Sequence, residues 1–103
     1  TAIPFLAGGG HGCISVSANV APRQCSEMHR AWREGDLTTC MELQDRLMPL
    51  HSALFCESSP GPVKYAASLI DKCLADTRLP LTKIADSSKE KVQKAMVNVG
   101  LLN

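Results

Sequence analysis

The sequence predicts an α/β fold in which one buried strand, about residues 12–18, passes directly into a helix and is followed by helices to the end. Three observations carry this reading. Cys13-Ile14-Ser15-Val16 is apolar or small on both faces, the pattern of a parallel strand between two layers rather than of a half-wet antiparallel one. Asn19-Val20-Ala21-Pro22 follows at once with the chemistry of a helix start, and the apolar spacing beyond it is helical. No other segment reads as a strand, and one strand cannot make a sheet. The 103 residues therefore read as the tail of a larger α/β enzyme. The chain alone is expected not to keep Gly12–Ala18 as a native-like strand, because a central strand leaves both of its edges unpaired.

Taken in order, residues 1–7 read as a helical remnant, with Pro4 tolerable in a first turn, and Gly8-Gly9-Gly10 ends it. After the strand, Asn19 is the expected N-cap of a helix over about residues 20–34. Ala21, Cys25, Met28 and Trp32 recur along it at helical spacing and Gly35 stops it. Asp36 caps the next helix. Its apolar residues run from Leu37 to Phe55, and Pro49 is expected to kink it. Ser58-Ser59-Pro60-Gly61-Pro62 makes a rigid turn, with Pro62 at the first position of a helix through Tyr65, Leu69, Ile70 and Cys73. Thr77–Thr82 is extended, since a residue before proline avoids the helical region. Ser87 and Glu90 suggest a capping box for a last helix carrying Val92, Ala95, Met96 and Val99, closed by Gly100. The seam falls near Glu34 to Asp36, dividing residues 1–35 from an all-helical region, residues 36–103.

Composition excludes more than it proposes. Net charge is +1, Lys and Arg are scattered, and four aromatic residues supply no stacking platform, so no nucleic-acid surface is expected. The longest apolar runs fall far short of a membrane span, and no signal peptide is visible. Five cysteines at positions 13, 25, 40, 56 and 73 are separated by 12, 15, 16 and 17 residues, with no Cys-x-x-Cys. An odd count cannot close into disulfides, and each thiol lies among apolar neighbours, so the reading is a reducing cytoplasm and no zinc site.

The candidate chemistry is sparse. A phosphate loop follows a strand and opens a helix, whereas the glycines around His11 end a helix and open a strand. His11 is expected to order that turn through a backbone hydrogen bond. His29 and His51 read as helix residues, partly exposed or capped by neighbours, and no two histidines lie at i and i+4, so no helical metal pair exists. Lys64, Lys72, Lys83, Lys89, Lys91 and Lys94 all have polar flanks, unlike a desolvated Schiff-base lysine. Ser15 and Ser17 lack the context of a hydrolase nucleophile.

Read together, Gly9-Gly10-His11-Gly12-Cys13-Ile14-Ser15-Val16-Ser17-Ala18-Asn19-Val20-Ala21-Pro22-Arg23 resembles the eighth strand and following helix of the dihydrodipicolinate synthase family, pyruvate-dependent enzymes of aldolase type. Arg46-Leu47-Met48-Pro49-Leu50-His51 with Leu54-Phe55-Cys56-Glu57, Pro60-Gly61-Pro62-Val63-Lys64-Tyr65-Ala66, and Arg78-Leu79-Pro80-Leu81-Thr82 with Val99-Gly100-Leu101-Leu102 are similar, in order and spacing, to that family's C-terminal helices. Related pyruvate lyases such as N-acetylneuraminate lyase match this tail less well.

The resemblance implies the C-terminal fragment of a (β/α)8 TIM barrel: the last strand and helix plus a mostly α-helical C-terminal region, with the active site at the C-terminal ends of the strands. It further implies a cytoplasmic lyase of lysine (diaminopimelate) biosynthesis, homotetrameric when intact and needing no cofactor. In that family a lysine on the sixth strand forms a Schiff base with pyruvate, the enamine attacks aspartate semialdehyde, and a tyrosine and two threonines relay protons. None of those motifs occurs here, so no catalytic residue and no metal ligand is expected in this chain. What carries over is a backbone contact to pyruvate at Ile14, with Val16 beside it. The implied partners are pyruvate, aspartate semialdehyde and the remainder of the barrel. The competing reading is a non-catalytic helical interaction module from Asp36 onward, for which the buried-type strand would have no use.

Overall fold

The computed structural model describes residues 2–103 as five α-helices: α1 (Ala2–Ala7), α2 (Pro22–Arg33), α3 (Leu37–Leu54), α4 (Gly61–Leu69) and α5 (Asp86–Asn98). A single 3-10 turn, Ser17–Asn19, precedes α2. Thr1, included in the helical remnant expected over residues 1–7, lies outside the described residues. No strand occurs among the described residues. Where the sequence predicts one over 12–18, the backbone is irregular from Gly10 to Ser15 and then closes into the 3-10 turn. The cause is stoichiometric: a strand satisfies its N–H and C=O groups only on a neighbour, and these residues include no second strand.

Helix ends are where the sequence is most readable. Four helices finish in a Schellman motif, in which a residue in the left-handed conformation lets two amides fold back onto the last carbonyls. Gly9 (φ 101°), Gly35 (75°) and Gly100 (84°) hold that position after α1, α2 and α5. The returning bonds are Gly10 N–H to Phe5 (2.9 Å), Asp36 N–H to Ala31 (2.9 Å) and Leu101 N–H to Met96 (2.9 Å). Gly10 must itself be glycine, because a Cβ there would lie 2.8 Å from the Phe5 carbonyl oxygen. The fourth motif uses Asp71 (φ 59°), with Lys72 N–H bonded to Ala67 at 3.0 Å. Asp71 turns the chain away after Leu69, so α4 stops short of the predicted Cys73; aspartate tolerates the left-handed region, and no glycine signals the stop.

Helix starts are less readable. Asp36 caps α3 as predicted, its Oδ1 accepting the Thr39 N–H at 3.1 Å. The Thr39 side-chain hydroxyl and then this backbone bond hold the Asp36 carboxyl below its ordinary pKa. Asn19 does not cap α2: it lies in the 3-10 turn and its amide donates to the Val16 carbonyl at 3.0 Å, while α2 starts on Pro22, whose missing N–H costs nothing at that position. Pro62 is the second residue of α4 rather than the first, and α3 continues through Pro49 to Leu54. The Ser87–Glu90 capping box is absent because α5 begins earlier, with Ala85 as N-cap. The Ala85 N–H instead donates to Glu57 Oε2 at 2.8 Å, from the loop after α3. Ser88 and then Ala85 hold the Glu57 carboxyl below its ordinary pKa. Glu57 thus performs across 28 residues what a third-position glutamate performs locally in a capping box.

The core joins the parts of the chain on either side of Asp36. Leu47, Leu50 and Leu54 on α3 are fully buried against Val92 and Met96 of α5, Val99 after it, and Ala66 of α4. Val20, Ala21 and Cys25 belong to the same cluster. A smaller cluster of Ile3, Met28, Ala31 and Cys40 ties α1 to α2 and α3. The seam at residues 35/36 is a change of pattern along the chain, and packing is continuous across it.

Candidate functional site

Ile14 and Val16 line the same groove, about 400 Å³ in volume, which runs between the segment 13–17, α2 and the end of α3. Its walls include Met28 and His29 from α2 and Met48, His51 and Ser52 from α3. Ile14 is fully exposed, whereas Val16 is half-buried and packs on the main core. Among the described residues the Ile14 backbone makes no hydrogen bond. The Val16 carbonyl is already engaged, by the Asn19 backbone N–H at 3.1 Å and the Asn19 side-chain amide at 3.0 Å. Backbone groups available to a small ligand therefore lie at Ile14 and the adjoining Cys13.

Local bonds give the segment a definite shape even without a ladder. Ser15 Oγ accepts the Ala18 N–H at 3.2 Å, and the Ser17 carbonyl accepts the N–H groups of Val20 (3.1 Å) and Ala21 (2.8 Å). One long-range bond anchors it: the hydroxyl of buried Ser17 pairs with Nδ1 of His51 on α3, 34 residues away. Burial pushes the His51 imidazole below its ordinary pKa, so it is neutral at neutral pH.

His29 stands on the opposite wall. Its Nδ1 bonds the Cys25 carbonyl at 2.9 Å, and its Nε2 is buried with no partner among the described residues. Both histidines are helix residues tied to neighbours, as the sequence suggests. His11, by contrast, is exposed and makes no hydrogen bond among the described residues, so it does not order the glycine turn. The Schellman geometry alone does that.

Of the remaining sequence candidates, Cys13 and Cys25 line the groove, whereas Cys40, Cys56, Cys73 and the lysines stay apart from it. Cys25 and Cys40 are buried, and burial raises both thiols. Cys13 and Cys73 are exposed, contrary to the expectation that every thiol is packed, because the strand and the longer helix that would cover them do not form. No three His, Cys, Asp or Glu side chains converge on a metal position among the described residues. Lys64 Nζ donates to the Asp76 carbonyl at 3.0 Å, Lys83 pairs with Asp76 and Lys89 with Asp86; no lysine lines the groove. Among the described residues no helix is long and apolar enough to cross a membrane. Sequence reasoning missed the Ser17–His51 pair. Neither residue has a local signature, and a contact across 34 positions exists only once α3 is packed.

The chain is similar to known proteins along its whole length. It is 54% identical over 103 residues to the 4-hydroxy-tetrahydrodipicolinate synthase of Gluconacetobacter diazotrophicus, covering all of this chain and 35% of that protein. The crystal structure of dihydrodipicolinate synthase from Thermotoga maritima superposes with a TM-score of 0.95 at 37% identity, over 98% of this chain and 34% of that one. The chloride-inhibited dihydrodipicolinate synthase from Acinetobacter baumannii, crystallised with pyruvate, gives a TM-score of 0.85 at 36% identity, over 91% of this chain and 32% of that one. The chain thus spans about a third of the length of the relatives it matches. Residues 1–99 match the profile of the dihydrodipicolinate synthetase family, and the chain belongs to that family.

Proposed function

We propose that these residues form the C-terminal part of a (β/α)8-barrel lyase that condenses pyruvate with aspartate semialdehyde in lysine biosynthesis. Residues 1–35 supply the last strand–helix unit, residues 36–103 the C-terminal helices, and the enzyme is a cytoplasmic homotetramer. In the assembled barrel the irregular part of the segment 12–18, up to Ser15, finds neighbours on both edges and pairs as the strand that its composition calls for, while the turn at Ser17–Asn19 is kept. The Ile14 backbone then contacts pyruvate, with Val16 beside it. The observation that carries this reading is the free backbone of Ile14 at the groove, on a segment whose sequence suits a buried parallel strand.

The chemistry divides between this chain and the rest of the enzyme. The pyruvate carbonyl condenses with a lysine amine, losing water to give an imine; loss of a methyl proton gives the enamine that attacks the aldehyde carbon. That lysine lies in the remainder of the barrel, because every lysine here is placed away from the groove and keeps a polar or exposed setting. This chain contributes backbone contacts and walls that exclude water. Treating the full-length enzyme and the 103-residue chain with pyruvate and borohydride, then weighing peptides, tests the division. A reduced pyruvyl adduct is expected in the full-length enzyme outside these residues, and an adduct on any lysine of this chain would overturn the reading.

A further inference from the structure

We propose that His51 is a positioning residue for pyruvate binding: through the Ser17 hydroxyl it fixes the backbone of Ile14–Val16 against α3. The inference rests on the function proposed above and adds a residue to it.

Among the described residues, the Ser17–His51 pair is the side-chain hydrogen bond that joins the segment 13–17 to α3, and Ser15 also meets the Cys25 thiol of α2. Three more bonds at this segment span only three or four residues, from Ser15 and Val16 to Ala18 and Asn19. Those local bonds make residues 15–19 one stiff unit, which α3 then holds at a single point. Ser17 is 2% exposed. Its hydroxyl therefore has little access to water as a substitute partner, and a buried polar group left unpaired loses more than the bond itself contributes. Ser17 is separated from Ile14 by two residues and adjoins Val16, so a shift at its hydroxyl is passed directly to the backbone proposed to meet pyruvate.

His51 is suited to this task. It projects from the buried end of α3, beside Leu50 and Leu54, which are both fully buried, so its Cα is held by the main core. Burial favours the neutral ring, which presents one N–H and one lone pair and can complement a hydroxyl in either direction. His51 also lines the groove with Ile14 and Val16. It touches the serine rather than the reacting atoms, so it acts on binding and not on proton transfer.

The test uses the full-length enzyme carrying Ser17→Ala, His51→Leu, the double variant and His51→Asn, whose amide nitrogen can occupy the place of Nδ1. Pyruvate KM, aldehyde KM, kcat and Tm are measured for each. Ser17→Ala and His51→Leu are each expected to raise the pyruvate KM roughly three- to tenfold, the equivalent of one net hydrogen bond. The aldehyde KM stays unchanged, the double variant is no worse than the poorer single, and His51→Asn recovers most of the loss. Ser17→Ala removes a single oxygen, so it decides the question even if His51→Leu does not fold. A lowered Tm with an unchanged pyruvate KM would reduce the pair to a structural role, and additive effects in the double variant, or no rescue by asparagine, would equally overturn the proposal. Borohydride trapping of pyruvate on the unsubstituted enzyme separates the two levels of argument. A trapped imine with an unmoved pyruvate KM sinks only the positioning role, and no imine sinks the proposed function with it.

Discussion

Two stretches with similar apolar composition behave in opposite ways: Cys13-Ile14-Ser15-Val16 stays irregular with Ile14 fully exposed, while Leu47 to Leu54 forms the buried spine of the molecule. The difference lies in where each finds its hydrogen-bond partners. A helix closes its N–H and C=O groups on itself, so α3 needs neighbours only for its apolar stripe, and α4 and α5 supply them. A strand cannot form at all until another strand lies beside it. Hydrophobicity therefore selects what is to be buried, but backbone pairing decides whether the segment is ordered by its own helix or waits for the rest of a sheet.

The sharpest test of this contrast is amide exchange on the chain alone. Amides of Cys13 and Ile14 are expected to exchange near the unfolded-chain rate, whereas Leu50 and Leu54 carry protection approaching the global stability, about 5–15 kcal/mol for a domain of ordinary stability. Strong protection at Cys13 and Ile14 would show that the segment has found a partner. A substitution pair measures the same contrast energetically. Leu50→Ala leaves a cavity in the core and should cost about 2–5 kcal/mol, while Ile14→Ala at a fully exposed site should stay within about 0.5 kcal/mol. Comparable losses in thermal melts would mean that Ile14 is packed in solution.

The smallest effect concerns the two side chains that bridge distant segments, and it is read from stability against pH. The His51 pKa is lowered by burial, so the unfolded chain binds its proton more readily than the folded one. That contribution is whole above pH 6.5 and is lost as pH falls below it towards the folded pKa. Glu57 is lowered by its bonds to Ser88 and Ala85, and by the same sign its contribution is whole above pH 4.5 and is lost below it. His51→Asn should flatten the upper window and leave the lower one, and Glu57→Gln should do the reverse. Superimposable pH profiles for the variants and the parent would break the assignment.

The sequence by itself determined the helices, three of their stops and the family. Gly9, Gly35 and Gly100 are legible because only glycine enters the left-handed region at no steric cost. Asp36 is legible because its cap reaches only three residues. The tertiary structure decided what depends on distance. Asp71 ends α4 without a glycine, Glu57 caps α5 from another loop, and Ser17 meets His51 across 34 residues. The last two are bonds between groups with no fixed spacing along the chain, available only after packing brings them together, whereas the Asp71 stop is local but carries no glycine to mark it. The fate of residues 12–18 belongs with them: their apolar pattern is a property of the sequence, but an ordered strand requires a neighbour's N–H and C=O groups, which no residue of the segment can supply to itself.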